Sequence, residues 1–232
     1  MSDRPVFTQS HGSGFLVVLG ILLTIVVTVV LLTLGQVAFQ RIGFSPIEYI
    51  LILLSTLIGS NVNIPVARVA STQPLVELEE VRVFGLTYRI PRIMRQTYTI
   101  IAVNLGGAVI PVLVSIYLLA THTSLIISAL VATLATSVLI HLVARRVRGV
   151  GIVTPALLPP IAAAIVAYLL APGSPAIVAY VSGTLGALIG ADLSNLRGIG
   201  DLGAPVASIG GAGTQDGVFL TGLVAALLVP MS

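Results

Sequence analysis

Of 232 residues, 56% are hydrophobic and 8% are charged, against roughly a quarter charged in an ordinary soluble domain. With a mean hydropathy of +1.11, the chain reads as an all-α polytopic membrane protein, one integral domain over residues 1–232 with no room for a separate soluble domain. No cysteine is present, which excludes disulfides, thiolate metal sites and cysteine nucleophiles, and the eleven basic residues are all arginine, for a net charge of +3.

In chain order, Gly14 to Leu34 is a full bilayer length of apolar sequence, longer than a signal-peptide core and without a small-residue cleavage site, so a retained helix is expected. A second span begins at Ser45-Pro46-Ile47-Glu48, a capping-box spacing with proline at the first helical position, and runs to about Pro65. Further spans are expected over Thr99 to Leu119, Leu125 to Ala144, Pro155 to Ala171 and Pro175 to about Ala191. Two of these start where a hydroxyl residue precedes proline, at Thr154-Pro155 and Ser174-Pro175. The last apolar run, Gly217 to Val229, is short, and reads either as a seventh span or as a re-entrant segment.

Loops alternate sides, and arginines gather on the cytoplasmic side of a membrane. With seven spans, ten of the eleven arginines fall on one face and only Arg41 on the other. A cell-membrane protein with a cytoplasmic N-terminus follows. The loop between spans two and three, about residues 67–97, alternates as Val76-Glu77-Leu78-Glu79 and Leu86-Thr87-Tyr88-Arg89-Ile90 around Gly85. This predicts a short cytoplasmic β-hairpin, either a loop cover or an edge able to pair with an extended peptide.

The polar residues converge on Ile189 to Gly217. This glycine-rich, broken segment of about residues 190–217 holds three of the eight acids, Asp192, Asp201 and Asp216. Irregular backbone beside a span survives only in water, within protein or along a wet cavity. Asp192 ends span six and Asp216 begins span seven at the same boundary, so the two carboxylates are placed to meet. Asn104, His141 and Pro155-Ala156-Leu157 fall at the same depth, which suggests a polar cavity open to the cytoplasm. Structural roles compete at each position. Asp216 fits a helix N-cap, Asp192 fits the cap of a short helix beginning at Leu193, and Asp201 fits an ion pair with Arg197.

At these residues the sequence resembles the presenilin and signal-peptide-peptidase class of intramembrane aspartyl proteases. That class has one aspartate near the end of its sixth span, a second in a Gly-x-Gly-Asp motif opening its seventh, and a Pro-Ala-Leu motif near the active site. Gly198-Ile199-Gly200-Asp201 matches the second motif literally, while Asp216-Gly217 is better placed at a span start. Asp192 stands where the first aspartate is expected, with Ala191 in place of the usual tyrosine. Pro155-Ala156-Leu157 precedes the aspartates here, whereas in that class it follows them. The resemblance covers roughly the last 80 residues of the sequence. The whole chain also resembles an uncharacterised group of archaeal and bacterial multi-span proteins.

The protease resemblance implies catalytic Asp192 paired with Asp216, or second with Asp201, and substrate contacts from Pro155, Ala156, Leu157, Asn104 and His141. Transport competes, because broken helices with Asp192, Asn195, Asp201 and Asp216 offer hard oxygen donors to Na⁺ or protons. A non-catalytic assembly subunit is the third class, using the Gly186 and Gly190 small-residue face. No cofactor or metal site is expected. The partners expected are the lipid bilayer and a membrane-protein or peptide substrate, with a homo-oligomer left open and nucleic acid excluded. No P-loop, Gly-x-Ser-x-Gly elbow or His-Glu-x-x-His motif occurs.

Overall fold

A computed structural model describes residues 12–71, 75–83, 86–94, 98–147, 151–211 and 217–230. Mostly helical, it contains seven α-helices: α1 (Gly12–Arg41), α2 (Pro46–Gly59), α3 (Ile110–Thr121), α4 (Ile126–Val143), α5 (Leu158–Leu170), α6 (Pro175–Ala187) and α7 (Gly217–Leu228). Among the described residues three helical runs are long and apolar enough to cross a membrane, Val18–Arg41, Thr123–Val143 and Pro175–Asp201. They mark the chain as a membrane protein. Four shorter apolar helices, Pro46–Gly59, Leu105–Thr121, Leu158–Leu170 and Gly217–Leu228, fall short of that length, so a count of seven spans does not follow from helix length.

The helix starts obey local chemistry. At α2, Ser45 Oγ accepts from the Glu48 amide at 3.3 Å and the Ser45 amide donates to Glu48 Oε2 at 2.7 Å, closing the capping box the sequence spells. Proline opens both α2 and α6, where its missing N–H leaves no helical bond unmade.

α6 is the central helix. Val178, Ala179, Tyr180 and Val181 are fully buried, and the helix packs against α4, α5 and α7. Glycines allow that closeness: a Cβ on Gly186 would lie 2.8 Å from Thr136 Cγ2, and one on Gly190 would lie 3.0 Å from Ile140 Cβ, both in α4. An aromatic cluster ties in the N-terminal helices. Phe39 of α1 stacks with Tyr49 of α2, Tyr180 of α6 and Phe219 of α7 at centroid separations of 5.1, 5.7 and 6.1 Å. By contrast Val18, Leu22 and Leu23 of α1 are exposed, the pattern of a helix whose surroundings are lipid.

An all-α architecture is not what forms. β1 (Asn63–Ala70) pairs antiparallel with β4 (Tyr98–Asn104), and β4 pairs in parallel with β7 (Val206–Ile209), giving a three-stranded sheet in the order β1-β4-β7. The run from Thr99 was expected to open the third span. Thr99, Ile100, Ile101 and Val103 are all β-branched and all but Thr99 apolar, so they suit a buried central strand equally well, and two strand partners decide the outcome. Helix begins only after Asn104, through a π-helical turn, Leu105–Val109, that leads into α3. Pro65 is accommodated because β1 is an edge strand, with its register shift beside that residue.

The alternation between Val76 and Ile90 does form an antiparallel hairpin, β2 (Leu75–Val83) with β3 (Leu86–Met94), Val83 opposite Leu86. A second small hairpin, β5 (Arg145–Val147) with β6 (Gly151–Val153), joins α4 to α5.

Candidate functional site

The glycine-rich segment is more ordered than a loop. α6 continues into a π-helical turn, Leu188–Asp192, then a 3-10 helix, Leu193–Asp201, before β7. A π-turn adds a residue to the helical repeat and shifts the side chains that follow it, which is why such turns gather at functional sites. Here the turn ends on Asp192. Its half-buried carboxylate reaches across to the end of β7, where Oδ2 accepts the Gly210 amide at 2.7 Å.

Asp192 lines a cavity of about 810 Å³. One wall comes from β7, with Val206, Ala207, Ser208 and Ile209; another from the α5 entry, with Thr154, Ala156, Leu157 and Pro159; a third from the start of α7, with Gly217, Val218 and Thr221. Asn63 of β1 closes the sheet side. Most of the lining is apolar, and Asp192 is the one ionisable side chain among the described residues that line it. A mixed wall of this kind, apolar with few polar groups placed in it, is the usual make-up of a ligand site.

The cavity sorts the residues expected from the sequence. Asp192, Ala156 and Leu157 line it; Pro155, exposed, precedes them. Asp216 lies outside the described residues, but its neighbour Gly217 lines the cavity. Asp201 does not line it. The literal Gly-Ile-Gly-Asp motif ends the 3-10 helix with Asp201 exposed, and its glycines serve close packing: a Cβ on Gly200 would meet the Ala70 carbonyl oxygen at 2.5 Å, and one on Gly198 would meet the Arg146 guanidinium.

Asn104 and His141 are off the cavity too. Asn104, the last residue of β4, is buried: its Nδ2 donates to the Ser60 carbonyl at 2.8 Å and to Asn63 Oδ1 at 3.1 Å while its Oδ1 accepts the Gly107 amide at 2.7 Å. It is therefore an N-cap of the π-turn and a brace for Asn63. His141 Nδ1 lies 2.8 Å from Ser194 Oγ, which in turn donates to the Gly190 carbonyl at 2.6 Å, so the pair fastens α4 to the 3-10 helix. Asn195 is used locally, donating to the Ala191 carbonyl at 2.8 Å.

The sequence assigns no site role to three members of the wall, Asn63, Ser208 and Gly210. Asn63 Oδ1 also accepts Ser208 Oγ at 2.5 Å, so one asparagine joins β1, β4 and β7. Gly210 holds φ at +80°, and a Cβ there would come within 2.6 Å of Ala108 Cβ. The signal for this corner was present as Val206-Ala207-Ser208-Ile209, a short strand-forming run between Pro205 and Gly210. Among the described residues no group of three or more His, Cys, Asp or Glu side chains is placed to hold a metal ion.

Comparison with curated proteins and with solved structures gives no match, and so adds nothing to the likeness to presenilins. Comparison with protein families matches residues 57–228 to the family described as "Protein of unknown function (DUF1614)". That match spans about three-quarters of the chain, from the end of α2 through α7 and so the whole cavity, and the protein belongs to this family.

Proposed function

We propose that this protein is an intramembrane aspartyl protease whose two carboxylates are Asp192 and Asp216. The observation that carries the reading is the cavity shared by Asp192 and Gly217, the residue after Asp216, with a sheet edge along its wall. Asp192 is delivered by the end of α6 and held at one oxygen by the Gly210 amide, which leaves its other oxygen for a partner. Two carboxylates at close range share one proton, because both cannot ionise cheaply away from bulk water. The ionised member removes a proton from water as it attacks the peptide carbonyl, and the protonated member donates to the departing nitrogen.

β7 is the outer strand of its sheet, so one side of its backbone is unpaired by β4. An extended peptide laid along that side gains main-chain hydrogen bonds beside Asp192, with Ala156, Leu157 and Pro159 offering apolar surface to its side chains. The substrate on this reading is a membrane-protein or peptide segment able to lie extended along β7.

The assay is cleavage of transmembrane peptides by the purified full-length protein. Asp192→Asn and Asp216→Asn should each abolish cleavage while leaving the protein folded, and Asp201→Asn should retain it. Undiminished cleavage by the first two variants would refute the proposal.

Ion-coupled transport is favoured by one feature, the π-helical break that ends on Asp192 at the cavity. Gradient-driven flux in proteoliposomes that disappears with Asp192→Asn, together with absent proteolysis, would establish it instead. We further infer a cell-membrane protein with its N-terminus in the cytoplasm, from the placement of ten of the eleven arginines.

A further inference from the structure

The side-chain amide of Asn63 is oriented by a chain of hydrogen bonds that starts in the backbone. The Gly107 amide can only donate and the Ser60 carbonyl can only accept, so Asn104 presents Oδ1 to the first at 2.7 Å and Nδ2 to the second at 2.8 Å. Asn104 Nδ2 spends its other hydrogen on Asn63 at 3.1 Å, and the atom that receives it must be Oδ1. Ser208 Oγ donates to the same Oδ1 at 2.5 Å, which fills both lone pairs of that oxygen. Two groups are left over. Asn63 Nδ2 keeps its hydrogens without a partner among the described residues, and Ser208 Oγ, having given its hydrogen to Asn63, can only accept.

Both residues line the cavity, and Asn63 is exposed. The free donor and the free acceptor lie side by side, because Nδ2 shares its amide carbon with the oxygen that Ser208 touches. Side chains alternate along β7, so Ser208 projects opposite Ala207 and Ile209, which pack with Ile101 and Ile199 in the core. A peptide added at the free edge of β7 alternates in the same way, and every second side chain falls on the Ser208 face.

A side chain that lands on this pair meets one donor and one acceptor about an amide's width apart. A carboxamide is the complement: its oxygen accepts from Asn63 Nδ2 and its nitrogen donates to Ser208 Oγ. Leucine there displaces water and leaves both groups unfilled. A carboxylate fills Nδ2 but sets a second acceptor against Ser208 Oγ, in a cavity whose one ionisable lining side chain among the described residues is already an acid, Asp192.

We propose that Asn63 and Ser208 form a specificity subsite for a glutamine or asparagine side chain of a polypeptide bound along β7. The subsite rests on the protease reading for its ligand, an extended peptide, and not for the chemistry at Asp192.

The test uses fluorescein-labelled transmembrane peptides of about 20 residues, built from Leu and Ala, with Gln, Leu or Glu placed at successive positions across the middle. Fluorescence anisotropy with full-length Asp192→Asn protein in detergent reads affinity without cleavage, and KM for the parent reads it during cleavage. At one position of the scan, or at positions two apart, Gln should bind about tenfold tighter than Leu, and Glu no tighter than Leu. Adding Asn63→Ala or Ser208→Ala should bring the Gln-to-Leu ratio to within about twofold of unity. The ratio is its own control, since loss of fold or of peptide binding in general alters both peptides alike. A glutamine advantage at no position would overturn the proposal, as would an advantage that survives both substitutions, or Glu binding as tightly as Gln. The two readings fail separately. A glutamine advantage in binding, with no cleavage by the parent, upholds the subsite and refutes the protease; cleavage of Gln and Leu peptides with equal KM at every position refutes the subsite alone.

Discussion

Gly210 and Gly43 both hold positive φ, +80° and +97°, yet their surroundings are opposite. A Cβ on Gly43 meets nothing within 4 Å, whereas one on Gly210 would lie 2.6 Å from Ala108 Cβ and 2.7 Å from Ala108 N and the Gly107 carbonyl carbon. Gly43→Ala therefore isolates the backbone penalty, about 1–2 kcal/mol. Gly210→Ala adds an overpacking cost of about 1–3 kcal/mol against backbone that cannot rotate away. Any shift of Gly210 also stretches the 2.7 Å bond to Asp192, a further cost of about 1 kcal/mol. The expected losses are about 1–2 kcal/mol for Gly43→Ala and about 3–6 kcal/mol for Gly210→Ala. For a chain of this size that corresponds to falls of about 2–8 °C and about 6–24 °C in the apparent unfolding midpoint. Thermal unfolding of both variants in one detergent, followed by circular dichroism, measures the difference. Equal shifts would refute the packing of Gly210 against the π-turn, and with it the account of how Asp192 is held.

Three further outcomes follow from particular contacts. Arg41 Nη1 donates to the carbonyls of Leu227 at 2.9 Å and Val229 at 3.1 Å, the unpaired end of α7, so Arg41→Gln should lower the unfolding midpoint by a loss of about 1–3 kcal/mol, with Arg41→Lys intermediate. Asn63→Ala removes the acceptor shared by Asn104 and Ser208, and should raise amide exchange in residues 206–210 while leaving α4 unchanged, as hydrogen–deuterium exchange mass spectrometry will read. Because the chain has no cysteine, single cysteines report sidedness cleanly: in intact cells Ser124→Cys and Gly173→Cys should react with an impermeant maleimide and Val147→Cys should not. The reverse pattern would invert the arginine-based orientation.

What the sequence disclosed divides along the range of the interactions concerned. The capping box at Ser45 and Glu48 and the proline starts of α2 and α6 depend on neighbours along the chain, so they could be read directly. The Gly186 and Gly190 contact with α4 was legible as a pattern, because small residues four apart make one helical face. The strand at Tyr98–Asn104 was not, because an apolar β-branched run suits a helix in lipid or a central strand, and only the distant β1 and β7 distinguish them. The same limit separates the aspartates. Gly198-Ile199-Gly200-Asp201 matches a motif in its letters, but its glycines are spent on contacts with Arg146 and Ala70, and the acid at its end is exposed. Asp192 matches less well in its letters, yet the π-turn and the Gly210 amide, neither visible as a local pattern, put it in the cavity. In a chain with eight acids, the surroundings of a carboxylate therefore discriminate better than the residues beside it in sequence. That reasoning ranks Asp192 above Asp201, and it makes the comparison of Asp192→Asn with Asp201→Asn the sharpest single measurement on this protein.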